Sequence, residues 1–233
     1  MMENNNTSEQ HNNIFNIQTI IDKVKDKRKA FVSEADFQLE FAWAIKEKHP
    51  EFKVRLEYVP EFDRKMHIDI LVITDEGWIP IELKYKTKGC TVKEGNETYV
   101  LANHGAKDVN CYLYLKDIQR IEYIKKKKGN QFVEGYTVML TNEESYMKEP
   151  KNSNVIYAAF SIHDRNKDGK IKNEKHGLLS WGENAGGTKS GHDDITLEGK
   201  YKMHWEKYSE VDDADGSEKV KFHYLWNKIE GES

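Results

Sequence analysis

The strongest alternation of hydrophobic and polar positions in this chain lies between residues 67 and 86, and it predicts two β-strands joined by a tight turn. The first run, residues 68–74, is almost wholly apolar but carries one acid, Asp69. The second run alternates with the period of two that a strand requires. Its hydrophobic positions are Ile79, Ile81 and Leu83, and its polar positions include Glu82, Lys84 and Lys86. The short polar break containing Gly77 is typical of a hairpin.

A two-residue turn at Glu76 and Gly77 gives the predicted register of this hairpin. That turn pairs Asp69 with Lys84 and places Glu82 diagonal to Asp69, so the three charged side chains project from one face. Two carboxylates and an ammonium group within apolar strands are costly to bury, which indicates a functional role. Carboxylate oxygens are hard ligands that suit Mg²⁺, and a nearby lysine can orient a water molecule or counter charge on a phosphate. The alternative is a solvated row of ion pairs at a sheet edge.

Periodicity elsewhere predicts two helices and a strand before the hairpin, then a long helix and a strand after it. The expected ranges are 14–29 and 33–49 for the first helices, 53–59 for the strand, 106–128 for the long helix and 132–141 for the strand after it. The polar stretch 87–105 is expected to form a mobile loop. Further strands are predicted at 155–162, 177–181, 195–205 and 220–226, with glycine-rich and acidic loops between them.

The D-x12-E-x-K pattern formed by Asp69, Glu82 and Lys84 resembles the PD-(D/E)xK nuclease superfamily. The resemblance implies an α/β, restriction-endonuclease-like fold, in which an αβββαβ core has a mixed central sheet flanked by helices. The predicted order of elements is similar over about residues 30–142, and residues 150–233 would be a β-rich extension of the same domain, 14–233. One departure is that no proline directly precedes Asp69, since Pro60 lies too far upstream.

The resemblance also implies roles for individual residues. Asp69, Glu82 and the backbone carbonyl of Leu83 would hold Mg²⁺, for which Mn²⁺ could substitute, and Lys84 would position the attacking water. Superfamily members carry a glutamate on the helix before the core sheet, close to the metal. Glu34, near the centre of an apolar helix face, is the first candidate for this acid, and it would hold a second ion or a water; Glu40 is the second candidate. The plain alternative makes Glu34 a first-turn acid favoured by the helix dipole.

The implied activity is metal-dependent hydrolysis of phosphodiester bonds, with DNA as the expected partner. The alternative function is a nucleic-acid-binding or regulatory module on the same fold with little catalysis. The D-x-x-R-x-E pattern of Asp117, Arg120 and Glu122 on the long helix is interpreted as structural. The oligomeric state stays open, with a dimer as one option.

Composition narrows the setting in which this chemistry would operate. The 233 residues are 37% hydrophobic and 33% charged, and the net charge of −4 means that nucleic-acid contacts must come from local basic patches. The two cysteines, Cys90 and Cys111, form neither a disulfide framework nor a metal motif, which favours a cytoplasmic protein. We expect no membrane span, because no apolar run approaches the ~18 residues required. Residues 1–13 are polar and are expected to be a disordered tail.

Overall fold

The computed structural model describes residues 15–150, 152, 154–164, 169 and 172–232. Over these residues the protein is α/β, with a mixed eight-stranded central sheet and three α-helices. The helices are α1 (Ile17–Lys27), α2 (Glu34–Lys48) and α3 (Lys107–Lys128). The strands are β1 (Lys53–Tyr58), β2 (Ile68–Ile73), β3 (Trp78–Lys86), β4 (Cys90–Glu94), β5 (Glu97–Leu101), β6 (Glu134–Thr141), β7 (Glu174–Leu179), β8 (Ile195–Lys202), β9 (Trp205–Asp213) and β10 (Lys219–Glu230).

The central sheet has the strand order β1-β2-β3-β6-β10-β9-β4-β5, and β7 pairs with β8 separately. Strands β3 and β6 run parallel, whereas the other pairs are antiparallel. The C-terminal strands β9 and β10 therefore continue the sheet that begins with β1, although the assignment of 14–233 to a single domain stays a prediction. No helix in the described part of the chain is long and apolar enough to cross a membrane.

Helices cover both faces of the sheet because each carries an apolar stripe that needs a partner. Asn16 caps α1 by accepting from the Thr19 amide at 3.1 Å, and Ser33 caps α2 by accepting from the Asp36 amide at 3.1 Å. α1 and α2 bury their stripes against one face, and α3 buries its stripe against the other. The candidate site lies on the α3 face, at the end of the hairpin formed by β2 and β3.

The register of this hairpin differs from the prediction by two residues. Leu71 pairs with Pro80, and the turn is Asp75-Glu76, closed by a 2.9 Å hydrogen bond from the Thr74 amide to the Gly77 carbonyl. Gly77 is needed outside the turn, because its φ is +145° and a Cβ there would lie 2.2 Å from the Gln131 carbonyl oxygen. A shift of two residues preserves the face of every side chain, so Asp69, Glu82 and Lys84 still project from the same side.

The predictions for two other segments are wrong, and the predicted tail lies outside the residues that the structure describes. Residues 87–105 contain the β4–β5 hairpin, whose Val92 and Tyr99 are buried, instead of being a mobile loop throughout. Residues 155–162 contain a short 3₁₀-helix, Ala158–Phe160, instead of a strand. They are held by local turns and by Trp205, whose indole donates to the Ile162 carbonyl at 2.7 Å. The predicted disordered tail, residues 1–13, lies outside the described residues.

Candidate functional site

The site forms where β2 and β3 stop pairing. Their backbone register ends at Ile70–Ile81, and beyond it two carboxylates accept the amide hydrogens of β3 that a neighbouring strand would otherwise bind. Asp69 Oδ2 accepts from the Leu83 amide at 2.6 Å, and Glu34 Oε2 accepts from the Tyr85 amide at 2.8 Å. Glu34 also lies 2.9 Å from Lys86 Nζ. The first residue of α2 is thereby fixed beside the strand that carries Glu82 and Lys84.

Asp69 also lacks a strand-pairing partner on the side that faces β1. Pairing of β1 with β2 skips Glu57, whose φ is +49°, and the register would otherwise place Glu57 opposite Asp69. Gln38, one helical turn after Glu34, donates to the Asp69 carbonyl at 2.6 Å and to Glu57 Oε1 at 2.8 Å. A left-handed backbone at a non-glycine residue costs about 1–3 kcal/mol, and such residues cluster at functional sites. The distortion interrupts pairing on the β1 side of Asp69, and the end of the β2–β3 pairing leaves its other side unpaired as well.

Two charged residues of α3 pair with Glu82 and Lys84. Lys84 Nζ lies 2.7 Å from Asp117 Oδ2 and 3.2 Å from the Leu83 carbonyl oxygen. Arg120 contacts Glu82 at 3.2 and 3.3 Å, contacts Asp117 Oδ1 at 3.1 Å, and donates to the His67 carbonyl. Glu82 and Asp117 are 1% and 4% exposed. The sequence-predicted face is thus closed by a buried ion-pair network from the helix.

One oxygen of this network remains unsatisfied among the described residues. Glu82 Oε1 is buried and accepts no hydrogen bond, although it lies 3.2 Å from Arg120, whereas the buried Asp117 Oδ2 is paired with Lys84 at 2.7 Å. Buried acceptors without hydrogen bonds are costly, and they mark positions that could receive another cation. Asp69, Glu82 and Asp117 supply three carboxylates against the two cations Lys84 and Arg120. With all three acids ionised, the cluster therefore carries one excess negative charge.

Burial and mutual repulsion change the acidity of these groups. Burial raises the pKa of Glu82 well above its usual range, and the negative charges of Asp117 and Asp69 raise it further. Burial also raises the pKa of Asp69, against the opposing effect of Lys84 and the Leu83 amide. For Lys84, burial lowers the pKa, but Asp117, Asp69 and Glu82 outweigh it and the net pKa is raised. Lys84 stays cationic, whereas Glu82 binds a proton more readily than an exposed glutamate.

The raised pKa of Glu82 predicts how stability depends on pH. Between the unfolded pKa of about 4.3 and the higher folded pKa, the folded protein binds more protons, so its free energy of unfolding falls as pH rises. Glu82→Gln mimics the protonated acid. We expect the variant and the wild type to be equally stable near pH 4, with the variant becoming more stable as pH rises. Urea denaturation across this range without added metal measures the difference, and a wild type that gains on the variant with rising pH would contradict the shift.

The structure places the predicted residues unequally. Asp69, Glu82, Lys84 and Glu34 lie around the end of β3, whereas Glu40 points toward α1 and lies 3.9 Å from Lys27 Nζ. The structural interpretation of the α3 pattern stays a prediction. Glu122 accepts from the backbone of β8 at 2.8–3.1 Å and from the Tyr201 hydroxyl at 2.7 Å, whereas Asp117 and Arg120 pair with Lys84 and Glu82.

Asp117 and Arg120 contact the candidate site, and the sequence analysis did not place them there. A signal was present, because Asp117 falls on the buried stripe of α3. Buried residues at the same helical spacing include Asn110, Tyr114, Ile121 and Ile124. An acid at such a position needs a partner from the sheet.

Comparison with known proteins gives no independent assignment. No family model, curated protein or solved structure matches the chain. Within the described residues, no group of three or more His, Cys, Asp or Glu side chains is already arranged to hold a metal ion. The geometry and charge of the cluster are therefore the features that bear on function.

Proposed function

We propose that this protein is a metal-dependent nuclease with a restriction-endonuclease-like core. The observation that carries the proposal is the meeting of Asp69, Glu82 and Lys84 on one face, at the point where β2 and β3 separate. The order α2-β1-β2-β3-α3-β6 supports the αβββαβ core, with the β4–β5 hairpin inserted between β3 and α3. The four strands of that core are also neighbours in the sheet.

The residues present fit a hard divalent cation. Glu82 has a buried oxygen without a hydrogen bond among the described residues, and with its acids ionised the cluster has one excess negative charge. Asp69, Glu82 and the Leu83 carbonyl would hold Mg²⁺, with Mn²⁺ as a substitute, because all three supply oxygen ligands. Glu34, bound to the Tyr85 amide and 42% exposed at its side chain, would hold a second ion or a water. The bound ion would supply a more acidic water and charge neutralisation at the phosphate.

Lys84 has the main role among the protein's own cations. Its ammonium group is largely buried and lies against the Leu83 carbonyl, so it is directed at the place where the attacking water would be held. There it would orient the water as the new oxygen–phosphorus bond forms and the bond to the leaving sugar oxygen breaks. Its raised pKa keeps it charged throughout the neutral range, which suits electrostatic stabilisation and excludes it as a neutral-pH base.

A binding or regulatory module is the second candidate function, and one observation favours it. The carboxylates are already paired with Arg120 and Lys84, and the described residues contain no preformed cluster of three metal-ligating side chains. A protein that only binds nucleic acid would have no need to open this network.

The nuclease proposal takes DNA as the substrate. It also takes a cytoplasmic setting, in which Cys90 and Cys111 remain free thiols.

Cleavage of a mixed substrate panel tests the proposal. Supercoiled plasmid, single-stranded DNA, branched DNA and RNA would each be incubated with Mg²⁺, Mn²⁺ or EDTA. We expect cutting of at least one substrate that depends on the metal and stops in EDTA. Folded protein that cuts none of them with either metal would favour the binding module, and gel-shift of the same substrates would then measure that function.

A further inference from the structure

Arg120 connects the carboxylate cluster to a neighbouring cleft. Its guanidinium lies against Glu82, Asp117 and the His67 carbonyl, where it neutralises the acids that are proposed to hold a metal. Burial lowers the pKa of Arg120, but Glu82, Asp117 and Asp69 outweigh it and the net pKa is raised. The group is therefore a permanent cation in the position of a counter-ion.

The contact between Arg120 and Glu82 is loose for a buried ion pair. The two nitrogen–oxygen distances are 3.2 and 3.3 Å, whereas charge-assisted hydrogen bonds measure about 2.7–2.9 Å. Glu82 Oε1 accepts no hydrogen bond from the described residues despite this contact. The two nitrogens of the guanidinium thus face the two oxygens of Glu82 at long distances. Its contacts with Asp117 Oδ1 and the His67 carbonyl would also be broken when it leaves, so a phosphate in the cleft must replace them.

The far side of Arg120 faces a cleft of about 520 Å³ between α3 and β8. The walls of the cleft combine cations with an aromatic and an apolar side chain: Lys116, Arg120, Lys126, Tyr123 and Met66. Its two acids are already occupied, since Glu122 is bound by β8 amides and Tyr201, and Glu198 pairs with Lys126. An anion entering the cleft would meet Lys116 and Arg120 as its cations. The volume suits one nucleotide unit, since small-ligand pockets begin at about 300 Å³.

We propose that the Arg120 guanidinium exchanges between two anions. In the metal-free protein it is the counter-ion of Glu82; when the carboxylates ligate a divalent cation, it turns into the cleft and binds a phosphate of the nucleic-acid strand. This inference rests on the proposed nuclease function. It makes cation binding and phosphate binding favour each other, because each removes a competitor of the other.

Arg120→Gln separates the two halves of this exchange. In the absence of nucleic acid, we expect the variant to bind Mn²⁺ about tenfold more tightly than the wild type, the size of effect that one adjacent charge has on a carboxylate. Lys116→Gln is the matched control, because Lys116 lines the same cleft but its ammonium contacts Gln119 at 2.7 Å instead of an acid of the site. Its Mn²⁺ affinity should stay unchanged. Titration followed by electron paramagnetic resonance measures free Mn²⁺ directly.

The phosphate half is tested with a short DNA duplex and Ca²⁺ as the cation. Wild-type protein is expected to bind the duplex more tightly with Ca²⁺ than in EDTA, and Arg120→Gln should lose this gain while Lys116→Gln keeps part of it. Arg120→Lys retains the charge without the planar fork, so its Mn²⁺ affinity should lie between those of the wild type and Arg120→Gln. It replaces Arg120→Gln in the test if the glutamine variant does not fold.

The outcomes separate this inference from the function on which it rests. Mn²⁺ bound equally by the wild type and both Arg120 variants would overturn the exchange, leave the nuclease proposal standing, and make Arg120 a structural ion-pair residue. Wild-type protein that binds no Mn²⁺ would remove the proposed metal site itself, and the exchange with it. Thermal melts of every variant establish that affinities are compared between folded proteins.

Discussion

Glu82→Gln is expected to reduce metal-dependent phosphodiester cleavage by on the order of a thousandfold, the upper size of effect for one electrostatic group in an active site. The substitution keeps the shape of the side chain and a hydrogen-bond acceptor for Arg120, but it removes the charge that would ligate the cation. Because Glu82 is 1% exposed and its pKa is raised, the folded protein should tolerate the neutral amide well. Initial rates on the substrate cut by the wild type, at saturating Mg²⁺, measure the loss.

The chain offers a closely matched control for this variant. Glu134 is also a buried strand glutamate, lies on β6 beside β3, and pairs with Lys228 at 2.9 Å. Glu134→Gln removes the same charge from the same sheet without touching the cluster, so its cleavage rate should stay within about twofold of the wild type, as for substitutions away from the reacting groups. Equal losses in the two variants would assign the effect to the stability of the sheet. Full activity of Glu82→Gln would remove Glu82 from the proposed site.

The sequence could predict much of the element order because that order depends on local periodicity. The apolar stripes of α2 and α3 and the alternation in β3 are visible within single segments, and they predicted these elements nearly at their observed bounds. The face shared by Asp69, Glu82 and Lys84 was also predictable, since strand parity survives even a two-residue error in register. The local pattern thus determines the face of a helix or strand on which a residue lies.

The remainder depends on contacts that are distant along the chain. Gly77 follows the turn directly before β3, where the carbonyl of Gln131, more than fifty residues away, leaves no room for a Cβ. The β4–β5 hairpin gains its place in the sheet from β9, whose pairing with Val92 and Lys93 no local pattern reports. Asp117 and Arg120 likewise meet Glu82 and Lys84 only after α3 packs on the sheet. Periodicity therefore predicted the face that carries the candidate site but not the partners that neutralise it.

Those partners lead to the second large expected effect, on stability. Lys84→Met is expected to cost about 3–5 kcal/mol of unfolding free energy, the usual penalty for removing one member of a buried ion pair. The loss leaves Asp69, Glu82 and Asp117 with Arg120 as their one remaining cation in the network. Its excess negative charge rises from one to two in a site that is almost closed to water. Urea denaturation at neutral pH without added metal measures the change.

Adding Asp117→Asn to Lys84→Met should restore most of this stability, because the double variant returns the cluster to one excess negative charge. Cleavage should stay abolished in the double variant, since the ammonium group that positions the water is still absent. Lys148→Met provides the exposed comparison: its pair with Glu144 at 2.9 Å leaves both side chains more than half exposed, so its loss should cost far less stability than Lys84→Met. A double variant that regains stability and cleavage together would show that Lys84 serves the fold alone. A double variant that regains neither would mean that Lys84 and Asp117 stabilise the fold by more than their charges.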